Sequence, residues 1–227
     1  GESISAFELI SGQGLRFLAE THPQMRQPWS SPPNWSVLLH LGVSNGTGAE
    51  QAIETLFEQA SDVIRDGVIA QSAQQAQDLW SLRETIPIAN RAIGAICSSD
   101  ISLPLSEIAG FIAKMPAALA RFGDIRINCF GHLGDGNLHY NLFPAEGATA
   151  SDYRAMRADL QLEVHRLTHD LGGSVSAEHG VVFESFSDQE IISLSGMGYA
   201  YAIYIIAGEE GYITKQDART KVLSMLK

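Results

Sequence analysis

The chain has 227 residues, 45% of them hydrophobic and 18% charged, which is enough to bury one sizeable core and excludes a disordered chain. Its net charge of −11 argues against a sequence-independent grip on phosphate backbones, so nucleic acid is not an expected partner. The most apolar stretch, 199–207, covers nine residues, too short for a membrane-spanning helix.

In chain order, residues 5–22 carry spaced apolar side chains (Phe7, Ile10, Leu15, Leu18) and predict a short helix broken near Gly12. Residues 22–33 hold four prolines and read as a loop, and 35–43 form a β-rich apolar run ending in the turn-like Ser44-Asn45-Gly46. Residues 50–65 have helical spacing with one buried face, closed by Gly67, and 68–70 would make a short strand. Residues 73–93 are again helical, with Pro87 expected to kink or break the helix. A short strand at 101–104 and a helix at 105–121 follow. Residues 124–130 alternate Ile125, Ile127 and Cys129 against Arg126 and Asn128, a half-buried strand, with 138–143 its antiparallel partner across a Gly-rich turn. Residues 151–171 form an amphipathic helix stopped by Gly172 and Gly173. The pattern predicts an α+β fold, a mainly antiparallel sheet with helices on one face.

The densest chemical signal is Gly131-His132-Leu133-Gly134-Asp135-Gly136-Asn137-Leu138-His139. A hairpin folds the chain back on itself and can bring His132 and His139 together, and neutral imidazoles suit zinc and its first-row neighbours. The same run is also good turn chemistry, with histidines beside a turn and no metal. A second signal is Gly172-Gly173-Ser174-Val175-Ser176-Ala177-Glu178-His179-Gly180. Glu178 could complete a His2Glu ligand set with open positions, leaving His179 as a base. From these residues alone, a helix end with an exposed Glu-His pair is the favoured reading. His165 and His169 sit four apart beside Arg166 and Asp170, away from the apolar stripe, and read as a solvated face. Arg83 lies within a predicted helix, either holding a carboxylate in a bidentate grip or pairing with Glu84 at the surface. Ser11-Gly12-Gln13-Gly14 lacks the third glycine and the preceding strand of a dinucleotide fingerprint. The two cysteines, Cys97 and Cys129, and the lack of an export signal fit a reducing, cytoplasmic setting.

Together these segments resemble the FAD-linked 2-hydroxyacid dehydrogenases and oxidases, the group of D-lactate dehydrogenase, D-2-hydroxyglutarate dehydrogenase and the glycolate oxidase FAD subunit. The resemblance rests on the two histidine motifs as a pair. It is supported by Ser5-Ala6-Phe7-Glu8, Leu79-Trp80-Ser81-Leu82-Arg83-Glu84 and Asp100-Ile101-Ser102-Leu103-Pro104. It implies a ferredoxin-like substrate domain over 1–186, followed by a divergent tail at 187–227. It also implies FAD carried mainly by a separate N-terminal domain or subunit absent from this chain, which alone would be colourless and inactive. On the same footing, His132, His139 and Glu178 match divalent-metal ligands for zinc or manganese. His179 matches the general base, Arg83 the substrate-carboxylate binder, and Asn141 a polar substrate contact near the metal. Many relatives carry Lys-His-Asp where this chain has Ser98-Ser99-Asp100, so one cationic contact is missing. The expected substrate is a small 2-hydroxy acid oxidised to a 2-keto acid. The alternative is a non-catalytic metal-binding or assembly module that keeps the fold. A homodimer is compatible with either reading.

Overall fold

The computed structural model describes residues 4–41, 49–60 and 62–176. The elements are β1 (Ile4–Ser11), α1 (Gly12–Thr21), β2 (Trp35–Leu41), α2 (Ala49–Gln59), α3 (Ala73–Ile93) and β3 (Cys97–Ser102). They continue with α4 (Ile108–Leu119), β4 (Ile125–His132), β5 (Asn137–Pro144) and α5 (Arg157–Asp170). The strands form one five-stranded sheet in the order β2-β1-β4-β5-β3, and each neighbouring pair is antiparallel.

Its heart is the expected ferredoxin-like unit. β3 and β4 run parallel with β5 inserted between them, and α4 makes the crossover, which is a split βαβ. After α5, Ser174 bridges antiparallel to Ser102 through paired backbone hydrogen bonds of 2.8 and 2.9 Å, the position of the fourth ferredoxin-like strand. β1 and β2 extend the sheet beyond β4.

The α+β, antiparallel expectation holds, but the helices divide between the two faces. Leu9, Cys129, Leu138, Tyr140 and Leu142 pack with α4 and α5 through Phe111, Met115, Leu160 and Val164. Ile10, Phe130 and Phe143 point the other way, onto Leu15, Phe17 and Leu18 of α1 and Leu82, Ile86 and Ala89 of α3. The physical reason is visible in β1. Leu9 and Ile10 are consecutive and both buried, which a strand allows only where the sheet is covered on both sides.

That double burial erases the period-of-two signal, and residues 4–11 form a strand where the spacing predicts a helix. Three further expectations are corrected. α3 keeps its predicted ends and runs through Pro87 without a break. Residues 68–70 form no strand. α2 stops at Gln59, and its apolar stripe is not a buried face: Leu56 is exposed, as is Val63 beyond the helix. The strand expected at 35–43 is found at Trp35–Leu41, and the turn at Ser44-Asn45-Gly46 lies outside the described residues.

The β4–β5 hairpin closes over a single 3-10 turn, Leu133–Asp135. Gly136 follows with φ +77°, and a β-carbon there would strike the Leu103 carbonyl, so glycine is required on both counts. The close return of the chain places the two hairpin histidines on one face.

Candidate active site

The site grows from one face of the sheet. Glu8 on β1 stands opposite His132 on β4, Phe130 on β4 opposite His139 on β5, and His139 opposite Asp100 on β3. Alternation puts all of these side chains on the α1/α3 side. A buried network holds the elements in place. Ser11 Oγ donates to Asn128 Oδ1 at 2.8 Å, and Asn128 Nδ2 donates to Asn90 Oδ1 at 2.7 Å. It links β1, β4 and α3, the carriers of Glu8, His132 and Arg83.

Each histidine is held by its own carboxylate. His132 Nδ1 lies 2.5 Å from Glu8 Oε1, and His139 Nδ1 lies 2.5 Å from Asp100 Oδ1. An ionised carboxylate only accepts, so Nδ1 is the donor in both rings and the lone pair of a neutral ring sits at Nε2. The other oxygen of Glu8 accepts from Arg83 Nε at 2.8 Å. The Arg83 guanidinium lies 4.7 Å over the Phe130 ring, and His139 is 4.8 Å from that ring on the neighbouring strand. Arg83 is therefore a buried, fixed cation and not half of a surface pair with Glu84. Phe7, Glu8, Trp80, Arg83 and His132 line an open cleft of about 630 Å³.

Burial alone would push the Glu8 carboxyl up. The hydrogen bond with His132 and the Arg83 charge outweigh it and hold the group below its ordinary range. The same hydrogen bond raises the His132 imidazole above its ordinary value, against the opposing effect of burial.

A metal-binding imidazole characteristically donates its second ring N–H to a carboxylate, and both rings here do so. The ring centroids are 6.2 Å apart, with the rings at 70° to each other. Both rings thus present Nε2 as the accepting atom, which is the donor type an imidazole offers a divalent ion. Among the described residues no group of three or more His, Cys, Asp or Glu is arranged to hold one. Glu178 and His179 lie outside the described residues. Asn141 shares the face with His139, and its amide nitrogen donates to the main-chain carbonyls of Asn128 and His139 at 3.3 and 3.1 Å. His165 Nε2 is 3.5 Å from Ser99 Oγ, and His169 is exposed.

The local sequence pattern gives Glu8 and Asp100 no role of their own. The available signal was a charge inside an apolar run, since Glu8 sits among Phe7, Leu9 and Ile10 and an acid buried in that setting must be paired. Among the described residues, no helix is long and apolar enough to cross a membrane.

Residues 1–185 match the family model described as FAD linked oxidases, C-terminal domain. The chain is 33% identical over 185 residues to a mitochondrial D-2-hydroxyglutarate dehydrogenase of Arabidopsis thaliana, covering 80% of this chain and 32% of that one. It is 32% identical over 183 residues to the mitochondrial enzyme of that name from Danio rerio, covering 80% and 33%. It is 31% identical over 183 residues to the D-2-hydroxyglutarate dehydrogenase of Stutzerimonas stutzeri, covering 78% and 38%. The chain thus spans about a third of the length of these relatives. With the family model matched over most of its length, the chain belongs to the FAD linked oxidases and carries their C-terminal domain.

Proposed function

We propose that this chain is the substrate- and metal-binding part of an FAD-dependent oxidoreductase that converts a small 2-hydroxy acid to the 2-keto acid. The observation that carries the reading is the pair of carboxylate-held imidazoles, His132 with Glu8 and His139 with Asp100, beside the buried guanidinium of Arg83. It is a ligand pair next to a carboxylate binder, which is what a 2-hydroxy acid requires.

His132 and His139 would hold zinc or manganese through Nε2, with Glu178 as third ligand. A divalent ion there supplies charge that lowers the pKa of a hydroxyl group, and FAD supplies the acceptor for the C2 hydride. Arg83 binds the substrate carboxylate, Asn141 is placed near the ligand pair as a polar contact, and His179 takes the hydroxyl proton. Support for Glu178 and His179 is the Ser174–Ser102 bridge, which lays the last described residues beside the strand that carries Asp100. FAD would sit mainly on a separate domain. A cytoplasmic setting is supported by the two buried, unpaired cysteines.

The test is anaerobic flavin reduction by protein in which this chain is joined to an FAD domain. D-2-hydroxy acids should bleach the flavin, and His179→Ala should lower turnover by roughly 10²–10⁴-fold. Bleaching that His179→Ala leaves untouched would refute the role of the base. No bleaching with any 2-hydroxy acid would favour a non-catalytic module.

A further inference from the structure

The geometry points to Glu8 as a positioning residue that joins the metal-binding imidazole and the carboxylate-binding guanidinium into one unit. The inference rests on the reading above of His132 and Arg83, and assigns how they are held and linked. Glu8 divides its two oxygens. Oε1 meets His132 Nδ1 and Oε2 accepts from Arg83 Nε, so neither contact can be kept by moving the carboxylate toward the other. The residue has no room to rearrange, being 4% exposed and paired in register with His132 across β1 and β4.

Two consequences follow from where the hydrogen bonds go. Because Nε of Arg83 is committed to Glu8, a ligand carboxylate meets the guanidinium end-on at its terminal nitrogens. Because Glu8 receives the Nδ1 proton, His132 is set with its lone pair on Nε2. Asp100 does the second job for His139. Glu8 does both, so whatever displaces it releases the ligand tautomer and the guanidinium together.

Glu8→Gln tests this in the full chain. A glutamine amide has one accepting and one donating end. Arg83 Nε–H needs the oxygen, which turns the NH2 toward His132 Nδ1 and forces that nitrogen to accept. The ring proton then moves to Nε2, the atom that would bind metal. Nitrogen NMR of the metal-free protein should show His132 switched to the Nε2–H tautomer, and zinc affinity should fall about 10–100-fold in a chelator competition. A side chain that only stabilised the fold would not switch the tautomer. If Glu8→Gln keeps both the Nδ1–H tautomer and the parent zinc affinity, the inference is overturned while the metal reading stands. If the parent chain itself takes no zinc, the metal reading fails and carries this inference down with it. Should Glu8→Gln not fold, Glu8→Asp withdraws the carboxylate by one methylene and must lose one of the two contacts. Its zinc affinity or Arg83 contact unchanged on both sides would again overturn the inference.

Discussion

Asp100 and His139 face each other across the β3–β5 pair, with Oδ1 2.5 Å from Nδ1, although they are 39 residues apart in sequence. Asp100 fixes the ring's orientation and tautomer. Asp100→Asn should therefore lower zinc affinity by about 10–100-fold. The thermal midpoint should move little, because Asp100 is only half-buried. Chelator competition and a melting curve measure the two. Equal zinc affinity in variant and parent would remove Asp100 from the site.

Arg83 and Glu8 are buried together, their side chains 10% and 6% exposed. Arg83→Ala leaves the carboxylate buried without its cation and uncovers the Phe130 ring. The expected stability loss is about 3 kcal/mol, read from urea denaturation. A loss below about 1 kcal/mol, the size expected of an exposed pair, would contradict the burial of this contact.

Glu163 on α5 accepts from Arg166 at 2.6 Å and from Arg121 at 3.0 Å. The hydrogen bond from Arg166 holds its carboxyl below the ordinary range, burial pushes the other way, and the charges of Arg166 and Arg121 add to the lowering. A depressed carboxyl contributes stability that is present above its unfolded pKa and lost as pH falls through the folded one. The chain should therefore lose stability on acidification below the usual carboxylate range. Glu163→Gln should flatten that part of the stability-versus-pH curve. Identical acid-unfolding curves for the two proteins would show that the pair contributes nothing, which its exposed arginines make the competing outcome.

Much of this architecture is legible from local pattern. The β4–β5 hairpin is written in the alternation of Ile125, Ile127 and Cys129, and α3 is found at its predicted ends because Ser72 caps it and Gly94 closes it. The proximity of His132 and His139 is legible too, since the hairpin makes the two histidines neighbours. What stayed hidden depends on contacts distant in sequence. Glu8 is 124 residues from His132 and 75 from Arg83, so no window of sequence joins them. β1 was obscured because both of its faces are covered at Leu9 and Ile10, and α2 misled because an amphipathic stripe need not find a partner. The second face of helices follows from the same double burial, which a single strand's pattern does not disclose.

On the function proposed above, His132 and His139 together hold a divalent metal. Elemental analysis of the chain, equilibrated with zinc and desalted, tests it directly beside the His132→Ala/His139→Ala double variant. About one zinc per parent chain and none in the variant is the expected result. A parent chain without zinc, or a variant that keeps it at another site such as His165 and His169, would contradict it.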